Sequence, residues 1–333
     1  MDISLNSIKK VYKKNIKFFI IFFIALGIAL SFLAGYFICY NKEENTTNKT
    51  ERHESGYSYI SPLLECYSEK SDSPENYKLK EQIEDTINSH IKNGEITSAS
   101  IYFRDLANGP WFGINENEKF TPASLLKVPI MITYYKIAEN NPDILDEKVI
   151  ADWQDSDDTP QNIAPENKVE KGKTYTIQEL INYMIIESDN HAATIILNKL
   201  PDNTLNKTFS DLGLNFPDVE TPENYMTVKD YSSFFRVLYN ASYLNKYYSE
   251  KSLEILSQAK YKDALAAGIP SNIKIAHKFG ERRNMDLDQL HDCGIIYKKN
   301  KDYMLCVMTR GDDFSKLSGV IKDLSSLVYQ NVK

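Results

Sequence analysis

The 23 residues from Phe18 to Tyr40 contain no charged side chain. A run of that length spans the hydrocarbon of a bilayer as one helix and is long for a buried helix of a water-soluble fold. Lys9, Lys10, Lys13, Lys14 and Lys17 precede it, and Lys42, Glu43 and Glu44 follow. Basic flanks stay in the cytoplasm. The sequence therefore predicts residues 1–17 as a cytoplasmic N-terminus, 18–40 as a single-pass anchor in the cell membrane, and an extracytoplasmic remainder. A cleaved signal peptide is the alternative. The run is long for such a signal, however, and no small-residue cleavage site closes it. Cys39 follows Ile38 rather than a small residue, unlike a lipoprotein signal.

Residues 41–73 are dominated at first by Asn, Thr, Glu and Lys and predict a polar tether, with a mixed stretch from Tyr57. Residues 74–333 are long enough for a sizeable core, and the whole chain is 42% hydrophobic. Five of the 39 basic residues and one of the 46 acidic ones lie in residues 1–17, leaving 34 against 45. An acidic body of this kind argues against nucleic acid as a partner. There is no Gly-rich dinucleotide fingerprint, phosphate loop or His-Glu-x-x-His pair. His53, His90, His191, His277 and His291 are scattered without metal-ligand spacing, so neither a metal nor a cofactor is expected.

Hydrophobic periodicity orders the rest. Leu79, Ile83, Ile87 and Ile91 form one stripe of a helix over 76–92, with Gly94 as its stop. Residues 98–104 and 111–115 alternate as strands around a turn. Thr176-Ile177-Gln178-Glu179 is a capping box, followed by Ile177, Leu180, Ile181, Met184 and Ile185 on one helical face. A second helix is expected over 191–200, and further helices over 226–239 and 249–258. Residues 273–279, 292–297 and 303–309 read as strands, and 314–329 as a closing helix. A four-residue turn over 298–301 sets Cys293 opposite Cys306; either a disulfide or two buried thiols suits an exported hairpin. The order predicts an α+β fold: an antiparallel sheet of about five strands flanked by helices, with an all-helical subdomain inserted.

One helix start carries chemistry. In Thr121-Pro122-Ala123-Ser124-Leu125-Leu126-Lys127-Val128-Pro129, Ser124 and Lys127 lie one turn apart on one face. A serine hydroxyl needs a neighbouring base, and a lysine serves when burial lowers its pKa. Amides of the first turn favour a developing oxyanion. Pro129 is expected to interrupt the helical ladder. Ser-x-x-Lys alone is short and common. Two further motifs follow in order, Ser188-Asp189-Asn190 on a helix–helix link and Lys278-Phe279-Gly280 on a strand.

With these three motifs in this order, residues 76–329 resemble the class A β-lactamase and penicillin-binding protein superfamily. The resemblance implies Ser124 as acylated nucleophile, Lys127 as its base or part of the proton relay, and Ser188 as proton shuttle to the leaving nitrogen. It implies Asn190 as a contact to substrate and Lys127, and Lys278 as the positive charge for a substrate carboxylate. Gly280 would leave room for substrate along the strand, and the amides of Ser124 and Glu281 would form the oxyanion hole. The substrate would be a β-lactam or a peptidoglycan D-alanyl peptide.

Two departures stand out. Phe279 replaces the hydroxyl residue that in the family grips the substrate carboxylate, with Arg282 and Arg283 as other candidates for that grip. The link over 214–227 is short where the family carries the glutamate that positions the deacylating water, although Glu220 and Asn224 keep its i, i+4 spacing. The expected function is thus an anchored serine hydrolase. A penicillin-binding peptidase with slow deacylation and a catalytically dead binding module are the alternatives.

Overall fold

The computed structural model describes residues 51–54, 56–66, 74–107, 109–154, 161–216, 223–283, 287–299 and 301–332, together with 26, 27 and 31. The apolar run 18–40 thus lies almost wholly outside the described residues, among which no helix is long and apolar enough to cross a membrane.

Five strands form one antiparallel sheet: β1 (Ser98–Asp105), β2 (Trp111–Ile114), β3 (Lys274–Arg282), β4 (Asp288–Tyr297) and β5 (Tyr303–Gly311). Their order is β2-β1-β5-β4-β3, which leaves β3 as an edge. Both faces are apolar, so each strand sends alternate residues into two separate cores. On one face Ile101, Phe103, Leu305 and Val307 meet α1 (Pro74–Lys92) and α8 (Phe314–Asn331). Leu79, Ile83 and Ile87 of the predicted α1 stripe are buried there, whereas Ile91, in the last turn, is 40% exposed. On the other face Tyr102, Ile295, Met304 and Met308 join a larger core with α2 (Lys127–Ala138), α3 (Ile177–Asn182), α4 (Asn190–Leu197), α5 (Thr204–Asp211), α6 (Val228–Tyr239) and α7 (Lys246–Ser257).

The inserted block is not purely helical. Residues 119–120 pair with 226–227, and 148–150 with 174–176, as two short antiparallel ribbons. Met226 and Thr227, read as helical, are therefore a bridge that ties the start of α6 to the strand before Ser124. Thr227 then caps α6 by accepting the Asp230 N–H.

Part of the expected tether is docked. Ile60 is buried in the larger core, and Glu250 of α7 accepts the N–H groups of Ser58, Tyr59 and Ile60. The Ser61 N–H donates to the Tyr239 carbonyl at 2.7 Å, and residues 51–53 pair with 63–66. One compact unit accordingly begins at Thr50 rather than at residue 74. The mixed stretch from Tyr57 thus holds one apolar anchor and a row of amides that a single carboxylate can hold. In the last hairpin Cys293 and Cys306 are cross-strand partners, buried and joined as a disulfide with Cα atoms 3.9 Å apart.

Candidate active site

Ser124 sits in a 3-10 turn (Ala123–Leu126) that continues directly into α2. Pro129 falls in the first turn of α2, where no ladder bond needs its missing N–H, so the expected interruption does not arise. The residue before Ser124, Ala123, has φ +50°, a left-handed conformation costly for a residue with a Cβ. What holds it is the anchoring of Thr121. Its N–H donates to Gln289 Oε1 at 3.0 Å, and its Oγ1 accepts the Asn224 N–H at 3.0 Å. Its carbonyl accepts from His291 Nε2 at 3.1 Å. The Thr309 N–H donates to His291 Nδ1, which leaves the ring proton on Nε2, and burial pushes His291 down to a pKa of about 4. The ring is therefore a neutral donor that pins the Ser124 turn to β4.

Gly280 brings β3 against the same turn. A Cβ there would lie 2.6 Å from the Pro122 carbonyl oxygen and 3.0 Å from the Leu125 nitrogen. The glycine thus admits the Ser124 turn against β3.

Ser188 ends a π-helical turn (Tyr183–Glu187) that follows α3. It has φ +58° and is fully buried. Asp189 then caps α4, accepting the Ala192 N–H at 2.8 Å, while its other oxygen accepts the Val169 N–H. This strained link delivers Ser188 and Asn190 to Lys127. Lys127 Nζ donates to the Ser188 carbonyl at 2.5 Å, to Asn190 Oδ1 at 2.7 Å and to Ser188 Oγ at 3.2 Å. Removal from water lowers its pKa to about 7, against the opposing charges of Asp189 and Glu281.

From β3, Lys278 Nζ donates to Ser188 Oγ at 2.8 Å and to the Phe279 carbonyl at 3.0 Å. Burial, and then the neighbouring charge of Lys127, hold Lys278 well below the usual lysine range. Ser188 Oγ thus accepts from both lysines, which leaves its own proton to point away from them.

Other residues named from the sequence land elsewhere. The Phe279 ring is buried against Tyr261, with centroids 4.3 Å apart, and Lys278 Nζ lies 4.1 Å from its centre. Arg282 pairs with Glu223, and Arg283 with Asp288 at 3.5 Å. The Glu281 carboxylate accepts the Ile163 N–H at 3.0 Å, and burial raises its pKa. Glu220 lies outside the described residues. Asn224 instead braces Thr121 and accepts from Gln289 Nε2 at 3.0 Å. Gln289, His291 and Gln161, which donates to the Ser188 carbonyl at 3.3 Å, were not signalled by any motif. Their partners are 18 to 170 residues away in sequence, and no local pattern encodes such contacts. Among the described residues no group of three His, Cys, Asp or Glu side chains is arranged to hold a metal ion.

The fold is shared with solved structures. One is a mutant of PBP-A, captured as an acyl-enzyme complex with penicillin G: 24% identity, TM-score 0.63, covering 76% of this chain and 96% of that one. A β-lactamase from Sphaerobacter thermophilus is 18% identical with a TM-score of 0.64, covering 75% and 95% of the two chains. A class A β-lactamase from Mycobacterium abscessus is 19% identical with a TM-score of 0.63, covering 74% and 98%. At these identities the likeness establishes the fold. No curated protein matches the chain in sequence. The profile of the beta-lactamase enzyme family (Beta-lactamase2) matches residues 78–332, a span that holds all three motifs and the whole five-stranded sheet, and the chain belongs to that family.

Proposed function

We propose that this protein is a serine acyl-transfer enzyme that opens an amide through Ser124, outside the cell, from a domain anchored by residues 18–40. The observation that carries the reading is Lys127. A lysine one turn from a serine, buried, held by Ser188 and Asn190 and brought to a pKa of about 7, is a base matched to neutral pH.

In this reading the Ser124 hydroxyl gives its proton to the Lys127 amine while Oγ attacks the carbonyl carbon. The oxyanion is met by the N–H groups of Ser124 and Glu281. The leaving nitrogen takes the Ser188 proton as the C–N bond breaks, and Ser188 is reprotonated from Lys127 or Lys278. An ester on Ser124 remains for water to cleave. β-Lactams and D-alanyl peptides are the substrate classes to test first. The acyl-enzyme that the PBP-A mutant forms with penicillin G supports the choice.

The test is intact-mass analysis of the purified protein after incubation with millimolar penicillin G or an activated N-acyl-D-alanyl thioester. A mass gain equal to the acyl group, absent in Ser124→Ala, is expected. No adduct with either reagent favours the binding-module alternative, whose motivation is Phe279 and the short link before α6.

A further inference from the structure

We propose that residues 161–169 form a strap across the cleft, latched to β3 by the Glu281 carboxylate, and that the strap confines the enzyme to substrates whose leaving group ends one residue beyond the scissile bond. This rests on the acyl-transfer reading above and narrows its substrate class. A β-lactam or a terminal D-alanine satisfies the limit; a bond inside a longer peptide does not.

The strap leaves one wall of the cleft, touches the other and returns. Gln161 Nε2 donates to the Ser188 carbonyl at 3.3 Å. Two residues later the Ile163 N–H donates to Glu281 Oε1 on β3 at 3.0 Å. The Ile163 side chain packs on the core that α1 and α8 share with the sheet, and with Asn162 it borders a hollow shared with Tyr261, Arg283 and Phe314. Glu166 then pairs with Lys260 at 3.3 Å. Asn167 donates from its N–H and from Nδ2 to the Glu187 carboxylate, at 3.2 and 2.8 Å, and the Val169 N–H donates to Asp189 Oδ2 at 3.2 Å. Both feet thus stand on Glu187–Asp189, and the tip rests on Glu281. Burial raises the Glu281 pKa, and the amides of Asn162 and Ile163 oppose that by favouring the carboxylate.

The same two walls meet below the strap, where Lys278 Nζ donates to Ser188 Oγ at 2.8 Å. Ser188 and Lys278 are buried there, whereas Asn162 is exposed, so the strap is the outer of the two bridges. A leaving nitrogen that faces Ser188 Oγ lies between them. An extended chain would ordinarily continue along a free sheet edge, and β3 is one. The strap crosses that edge at Glu281. A leaving group that ends beneath it disturbs nothing. One that continues must break the bond from Ile163 to a carboxylate, part Gln161 from Ser188 and uncover the Ile163 side chain.

The experiment compares two thioesters on the full-length protein in detergent. Both carry the N-benzoyl-D-alanyl acyl group and a leaving group with a free carboxylate: thioglycolate in one, thioglycolyl-glycyl-glycine in the other. Thiol release gives kcat/KM, and intact mass reports acylation of Ser124. The wild type is expected to favour the short leaving group by about 10-fold or more. Ile163→Pro removes the donor of the latch and Glu281→Ala its acceptor. Each should shift the ratio about 10-fold toward the long leaving group, the effect of losing one hydrogen bond to a charged group. Ile163→Val keeps the N–H and should keep the ratio. A change in the lysines or in the oxyanion site would move both substrates together and leave the ratio alone. Equal wild-type rates on the two compounds overturn the proposal while leaving the acyl-transfer reading intact. So does a ratio unmoved in whichever of Ile163→Pro and Glu281→Ala retains the wild-type melting temperature. Absence of Ser124 acylation by both compounds overturns that reading and this proposal with it.

Discussion

Two regions border Ser124, and they are built differently. On the ester-forming side Lys127, Ser188, Asn190 and Lys278 are cross-linked by hydrogen bonds of 2.5–3.2 Å, and three of the four are buried. The second is the link from Leu212 to Thr227 between α5 and α6, of which 217–222 lie outside the described residues and Asn224 reaches the Ser124 turn through Thr121. Its described acidic residue nearest the site, Glu223, is partly exposed and paired with Arg282. In the acyl-transfer reading proposed above, a fold that fixes one half of a two-step reaction and leaves the other to a short link should separate the two steps in rate.

The largest effect should come from breaking the first half. Lys127→Ala is expected to slow acylation of Ser124 by ~10²–10⁴-fold, the range for loss of a positioned base. The pH profile carries the signature. The reactive form is the free amine, so acylation should rise with pH up to about 7 and then level off, following the lowered pKa. Quenched-flow mass analysis from acid through alkaline pH measures it, and a profile flat through neutrality would assign the base elsewhere.

The second half is tested by turnover. Ester hydrolysis needs a held water and a base, and among the described residues of the short link only Glu223 carries a carboxylate. A chromogenic acyl donor should give a burst near one equivalent, followed by a steady rate slower by ~10²–10⁴-fold. Linear release from the first turnover would show that water is activated after all.

Gly280→Ala probes how rigid the first half is. The added methyl meets backbone atoms of the Ser124 turn, which cannot rotate away as a side chain would. A stability loss of about 1–3 kcal/mol is expected in urea, the usual cost of overpacking, together with slower acylation.

The sheet, α1, α8 and the three motifs were legible in the sequence because each rests on a local pattern: period 2, period 3.6, or fixed spacing. The rest depends on contacts no period encodes. Ala123 and Ser188 take positive φ only because distant residues hold them there. The π turn at 183–187 keeps the apolar stripe of a helix while shifting its register. α5 is eight residues long, with Thr208 and Phe209 its buried residues, too little to declare itself. Residues 57–66 are mixed in composition and follow no period, although Ile60 is 5% exposed. A fragment beginning at residue 74 should therefore be about 2–4 kcal/mol less stable than one beginning at residue 51, from lost burial of Ile60 and Tyr59 and three amide contacts to Glu250. Equal urea midpoints would return this segment to the tether.

The smallest effects should come from Glu223, and they decide whether the second half is as bare as it looks. The Glu223 and Arg282 side chains are 36% and 44% exposed, and ion pairs in such positions contribute roughly 0–1 kcal/mol. Glu223→Gln should therefore leave the urea midpoint nearly unchanged. Its carboxylate is already engaged by a guanidinium, which draws it toward Arg282 rather than toward a water on the Ser124 ester. The slow steady rate after the burst should then stay within about 3-fold of wild type, well short of the loss expected for a general base. A fall of about 10²-fold or more in that rate, with the burst intact, would instead assign water activation to Glu223. The Arg282 pair would then be the device that positions it, and the contrast between the two sides of Ser124 would narrow to one of exposure.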